Sequence, residues 1–136
     1  MNRRSFIALS TSFALLPTLS FATPRGYSPG LVDDLLAQGK TVFLDFKADW
    51  CSTCAAQERV INALLQENSA YEANIVFVNV DWDQYRGDAL TQRLRIPRRS
   101  TLVVLKGNQE LGRIVAGTSR DDIKALMDTA LSAASA

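Results

Sequence analysis

The 136-residue chain contains no histidine. Ser-His and Cys-His catalysis are thereby excluded, and the commonest side-chain metal ligand is missing. Cysteine is almost as scarce, with two residues, Cys51 and Cys54. A structural zinc centre takes four ligands, so two thiolates would need a second subunit or non-thiol ligands to complete one. No charge of one sign prevails. Lys and Arg number 15 against 14 Asp and Glu, a formal net charge of +1. That balance makes no case for nucleic acid or for an acidic partner. No run of like charges marks a tail. Aromatic residues are few, at 8%, while the apolar fraction of 47% suits a globular domain. A chain of this length is expected to form one domain. Internal repeats, linkers and low-complexity segments are absent.

Long apolar runs are absent too. The opening stretch from Phe6 to Leu16 is mild, rich in Ser and Thr, and broken by Pro17. It falls short of the ~20 residues that a membrane span needs. Arg3 and Arg4 precede it, and the small residues Ser20 and Ala22 follow. Basic start, apolar centre and small-residue end, in that order, read as a signal peptide over 1–22, cut after Ala22. The expectation is a periplasmic protein whose mature domain is 23–136. Loss of Arg3 and Arg4 lowers the 15 basic residues to 13 against 14 acidic ones, a net charge of −1. The stretch "NRRSFIA" resembles a twin-arginine (Tat) signal, with Asn2 in the usual Ser/Thr position. The general secretory (Sec) route stays open.

The remainder alternates between strand and helix patterns. "YSPGLVDDLLAQGK" predicts a helix with Ser28 as N-cap, Pro29 at the first position and Gly39 as the stop. "TVFLDFKA" is a short apolar run, a buried strand. From Cys51 to about Asn68 no Gly or Pro occurs, and Val60, Ile61, Leu64 and Leu65 recur at helical spacing. "NIVFVNVD" is a second buried strand, and "YRGDALTQRL" a weaker helix interrupted by Gly87. "STLVVLKG" and "QELGRIVAG" form a hairpin about Gly107-Asn108. A closing helix starts at the Ser119 cap, with Asp121 and Asp122 in its first turn. The order α-β-α-β-α-β-β-α predicts an α/β fold. Strands joined by helices pair in parallel through right-handed crossovers, and the last two are antiparallel.

Both cysteines lie in "FKADWCSTCAAQER". The preceding strand puts Cys51 at a helix N-terminus, where free N–H groups and the helix dipole favour an anion. A thiolate there has a lowered pKa and is the nucleophile in exchange. Cys54, one turn on, is on the same face and within disulfide reach, placed to resolve a mixed disulfide. A structural disulfide closing so short a loop would constrain little chain entropy. Two free structural thiols suit an oxidising compartment poorly. Half of a metal site is the remaining alternative. Asp45, inside the apolar strand, should have a raised pKa, and could accept a proton from Cys54 as that thiol attacks.

The segment "FLDFKADWCSTC" resembles the thioredoxin superfamily, whose motif runs strand, Asp, aromatic, Trp-Cys-x-x-Cys. The likeness extends from about Leu31 to Leu131. It implies a thioredoxin-like fold, a central mixed sheet of about four strands flanked by helices, with the family's first strand reduced to the segment near Tyr27. It implies that Cys51 is the nucleophile, Cys54 the resolving cysteine, Trp50 the flanking tryptophan and Asp45 the buried aspartate. "ADWC..C", with Glu58 four residues beyond Cys54, looks most like the reductase domain of DsbD-type thiol:disulfide interchange proteins.

Three departures from the family pattern stand out. Ser52-Thr53 replaces the usual Gly-Pro between the cysteines. Phe77 occupies the position of the lysine often found near the buried aspartate. The family's cis-proline, before a threonine at the start of the third strand, falls on Ser100, ahead of Thr101. Pro97 takes that place only if three residues are inserted. On this alignment Arg99, Ser100 and Thr101 line the substrate groove with Trp50, and Arg98 is nearby. Arg93, Arg95, Arg98 and Arg99 form either a solvated basic edge or a docking surface.

The function expected from this likeness is a periplasmic thiol-disulfide oxidoreductase acting as a reductase. It would need no cofactor beyond the Cys51–Cys54 redox disulfide. Its partners would be disulfide-bearing exported proteins and a membrane thiol electron donor of the DsbD/CcdA type, and a monomer is expected. The alternatives are a disulfide oxidase or isomerase, and a metal- or iron–sulfur-binding module.

Overall fold

A computed structural model describes residues 24–136. The signal segment predicted over 1–22 lies outside the described residues. Eleven elements follow in chain order: β1 (Arg25–Gly26), α1 (Leu31–Ala37), β2 (Thr41–Lys47), α2 (Ser52–Glu67), α3 (Ala70–Asn74), β3 (Ile75–Asp81), α4 (Trp82–Tyr85), α5 (Ala89–Arg93), β4 (Thr101–Lys106), β5 (Gln109–Val115) and α6 (Arg120–Ala134). The strands form one mixed sheet in the order β1-β3-β2-β4-β5. β1 and β2 pair with β3 in parallel, and β4 is antiparallel to both β2 and β5. The fold is thioredoxin-like.

β2 lies at the centre of the sheet, and its residues 41–46 are all buried. A strand covered on both faces reads as a continuous apolar run rather than an alternating one. Its two sets of side chains face different layers. Val42, Leu44 and Phe46 join Val78, Val80, Val103 and Leu105 against Val32 and Leu35 of α1 and Leu90 of α5. Phe43 joins Leu102 and Val104 against Ile61 and Leu64 of α2 and Ile123, Met127 and Ala130 of α6. Each such side chain removed from water contributes about 1.5–3 kcal/mol. Asp45 shares its parity with Phe43, so it lies on the α2 side of the sheet.

The short β1, paired at Val78 and Asn79, is the reduced first strand expected near Tyr27, and with it the sheet has five strands, close to the four or so expected. Two residues forming two bridges leave almost no periodic signal. The sequence expectation differs from the structure at two places. The first helix starts at Leu31, two residues past the predicted first position at Pro29. Its N-cap is Gly30 at φ 90°, not Ser28, and no side chain caps it. Ser28 contributes its backbone carbonyl, which accepts from Leu31 N–H at 3.1 Å. The weak helix around Gly87 is two short helices, α4 and α5, each capped by its own aspartate. Asp81 accepts from Asp83 N–H and Asp88 from Leu90 N–H. Asp88 also accepts from the Tyr27 hydroxyl at 2.7 Å, tying the segment after β1 to α5. No helix among the described residues is long and apolar enough to cross a membrane.

Candidate active site

The carboxyl end of β2 leads through Ala48, Asp49 and Trp50 to Cys51, the N-cap of α2. Cys51 has the extended backbone typical of an N-cap, φ −90° and ψ 111°. Its Sγ accepts from the Cys54 backbone N–H at 3.1 Å, as a serine oxygen would in that position. Cys51 and Cys54 are joined in a disulfide, with Cα atoms 5.3 Å apart. Both are buried, Cys51 at 4% exposure and Cys54 at 1%. Ala48 and Trp82 pack against the pair. Cys51 is therefore the less enclosed of the two residues, and its sulfur is the one that meets the helix N-terminus.

Ser100 faces the pair from the other side. Its hydroxyl oxygen is 3.1 Å from Cys51 Sγ and 3.1 Å from Cys54 Sγ. The residue is fully buried. Its backbone is left-handed, at φ 61°, which disfavours a side chain other than glycine by about 1–2 kcal/mol. Tertiary hydrogen bonds hold it there. Ser100 N–H donates to Phe46 O at 2.7 Å, and its carbonyl accepts from Ala116 N–H at 2.8 Å and from Gln57 Nε2 at 3.0 Å. Among the described residues no peptide bond is cis, and Pro97 is exposed. Ser100, not Pro97, occupies the position opposite the cysteines.

Asp45 is 6% exposed, and its Oδ1 has no hydrogen-bond partner among the described residues. It borders a small cavity of about 20 Å³ lined by Phe43, Glu58, Ile61, Asn62, Phe77 and Asn79. Burial pushes its carboxyl up from 3.8 to about 7. The Lys47 ammonium opposes that rise and Glu58 adds to it. Lys47 and Glu58 pair with each other at 2.8 Å. A positive charge thus reaches Asp45 from its own strand, although Phe77 replaces the family's lysine on the neighbouring strand.

Trp50 is 60% exposed. Its indole N–H donates to Asp83 Oδ2 at 2.8 Å, and the Arg99 guanidinium lies 4.4 Å above its ring. Trp50, Arg99 and Ser100 are thus brought to one end of the sheet with the cysteines. Thr101 differs. It is fully buried as the first residue of β4, and its hydroxyl donates to Arg98 O at 2.7 Å. Thr101 fastens the loop rather than presenting itself at a surface. Of the four arginines, Arg93 is paired with Asp33 of α1 at 2.8 Å, and Arg99 lies over Trp50.

Two residues of the site escape the sequence reading. Gln57 is fully buried in α2, and its Nε2 bridges Ser100 O and Gly117 O. Its signal was present: Cys54, Gln57, Ile61 and Leu64 recur at the three- and four-residue spacing of one helix face. Asp83 carried no comparable signal, because its role depends on α4 being brought beside Trp50. Among the described residues no three His, Cys, Asp or Glu side chains gather as metal ligands.

The chain matches the Thioredoxin family over residues 31–129. Thioredoxin H2-1 of rice is 32% identical over 96 residues, which is 71% of this chain and 64% of that protein. The chain spans a little under two thirds of the length of the rice thioredoxins H2-1 and H5. The thiol:disulfide interchange protein DsbD of Pseudomonas fluorescens is 32% identical over 69 residues, covering 50% of this chain and 12% of that protein. Among solved structures, Trxlp from Edwardsiella tarda aligns with a TM-score of 0.63 at 30% identity, covering 76% of this chain and 98% of that one. With the family matched across most of its length, the chain belongs to the thioredoxin family.

Proposed function

We propose that the protein is an exported disulfide reductase, supplied with electrons by a membrane thiol donor of the DsbD/CcdA type. One observation carries the chemistry: Cys51 Sγ caps α2 and accepts the Cys54 N–H. In the reduced protein that geometry stabilises a Cys51 thiolate. The thiolate attacks a substrate disulfide, forming a Cys51 mixed disulfide and releasing one substrate thiolate. Cys54 gives its proton to Asp45 and attacks Cys51 Sγ. The Cys51–Cys54 disulfide forms and the second substrate thiolate leaves. The substrate gains two electrons and the protein dithiol loses two. Asp45, at about 7, is poised to take and return a proton near neutral pH.

The reductase direction rests on Ser52-Thr53, which places no histidine between the cysteines, and on the short likeness to DsbD. Export rests on the order of residues in 1–22. Disulfide-bearing exported proteins are then the substrates. Acid quenching of intact cells, followed by mass-tag alkylation of Cys51 and Cys54, tests the direction. A reduced pair in an oxidising compartment supports a membrane donor. An oxidised pair overturns the reductase reading. Cys51→Ser should abolish reduction of insulin disulfides, and retained activity would sink the mechanism.

A further inference from the structure

Ser100 offers its hydroxyl to two sulfurs and to no other group among the described residues. A single O–H can donate to one sulfur at a time. In the oxidised protein neither sulfur is charged, and both are weak acceptors. In the reduced protein one of them becomes a thiolate, and hydrogen bonds to ionised groups are about twice as strong as neutral ones. Rotation about the Cα–Cβ and C–O bonds lets the same hydroxyl follow the charge. Burial excludes water as a competing donor and strengthens the interaction. A proline at this position would carry no such donor.

We propose that Ser100 is a catalytic residue that donates its hydroxyl hydrogen to whichever active-site sulfur carries the negative charge. The inference rests on the exchange reading and assigns the serine a role in it. When Cys51 is the thiolate, Ser100 O–H and Cys54 N–H both donate to its Sγ. After Cys51 has formed the mixed disulfide, Cys54 loses its proton to Asp45 and becomes the anion. The Ser100 hydroxyl then turns to Cys54 Sγ. As Cys54 attacks Cys51 Sγ, its charge passes to the departing substrate sulfur, and the hydroxyl returns to its position between two neutral sulfurs. No proton leaves the serine at any step.

The left-handed backbone of Ser100 belongs to the same device. Tertiary hydrogen bonds keep this serine at φ 61°. Glycine adopts that conformation readily, so a glycine here would keep the loop while losing the hydroxyl. This makes two informative variants, Ser100→Ala and Ser100→Gly.

The test is a titration of the fully reduced protein. Thiolate absorbance and iodoacetamide alkylation rate are followed across pH for wild type, S100A and S100G. Both variants should raise the Cys51 pKa by about one, so that the thiolate fraction falls about tenfold at a pH below that pKa. The equilibrium with glutathione should shift toward the protein disulfide, by a factor that grows with pH to about tenfold, or ~30 mV, above the raised pKa. An unchanged Cys51 pKa in both variants overturns the proposal. So does a rise in S100A that is absent in S100G, because the backbone would then be its cause. The titration needs no substrate, so its failure is separate from failure of insulin reduction by the wild-type protein.

Discussion

The Gln57 Nε2 amide donates to the carbonyl oxygen of Ser100 at 3.0 Å, joining α2 to a loop 43 residues further along the chain. The same nitrogen donates to Gly117 O at 2.9 Å. One buried side chain thereby fixes the serine loop and the segment after β5 against the helix that carries the cysteines. Replacing Gln57 with Ala removes both donors and leaves a void. The expected loss is about 2 kcal/mol, since two hydrogen bonds are removed and each contributes about 0.5–1.5 kcal/mol. Urea unfolding of oxidised Gln57→Ala measures it. Unchanged stability would mean that Ala116 and Phe46 suffice to hold the loop.

Asp45 makes stability depend on pH. Its folded-state pKa is raised from 3.8 to about 7 by burial, so the folded protein holds this proton more tightly than the unfolded chain. The contribution is fully present below about pH 4, declines from there through about pH 7, and is absent above that. That interval corresponds to ~4 kcal/mol, an upper figure for a group so enclosed. Asp45→Asn abolishes this component. The difference in unfolding free energy between variant and wild type should grow in the variant's favour as pH rises from 4 to 7, then level off. A difference that stays constant across that range would remove the raised pKa.

The same substitution separates the two chemical steps. Asp45→Asn should slow resolution by Cys54 more than first attack by Cys51, because proton acceptance is needed in the second step. Rapid-quench trapping of the mixed disulfide measures both rates. Equal slowing of both steps would deny Asp45 its role. Cys54→Ser should halt the reaction after first attack and accumulate the Cys51 mixed disulfide. Mass spectrometry showing no adduct would place the nucleophile elsewhere.

Trp50, exposed, and Arg99, half-buried, form the rim beside the pair. A cation–π contact on such a rim is worth about 0.5–1 kcal/mol. Arg99→Ala should leave global stability within that range. It should lower kcat/KM several-fold for a protein disulfide while leaving the rate with a small aromatic disulfide nearly unchanged. An equal fall for both substrates would place Arg99 in the chemistry instead of the groove.

Much of the fold was legible because its signals are local. The apolar runs of β2, β3 and β4, the helical stripe of α2, the Ser119 cap and the Gly107-Asn108 turn each declare themselves within a few residues. The placement of Cys51 at a helix start was equally legible, since strand and helix adjoin. β1 was faint because two residues carry no period. The cap of α1 was misplaced because Ser28-Pro29 imitates a start that Gly30, with its left-handed backbone, supplies two residues later.

The sequence by itself determined the two-cysteine chemistry, the apolar strand around Asp45 and the alternation of elements that makes a thioredoxin-family sheet. These follow from residue type and spacing along one segment. Only the tertiary structure decided that Thr101 is spent on Arg98, that Asp83 steadies Trp50, and that Gln57 clamps the serine loop. It alone put the Ser100 hydroxyl between the two sulfurs, 3.1 Å from each. The reason is geometric. A left-handed serine, held by bonds to Phe46, Gln57 and Ala116, takes its direction from three distant parts of the chain, and no local pattern encodes that direction.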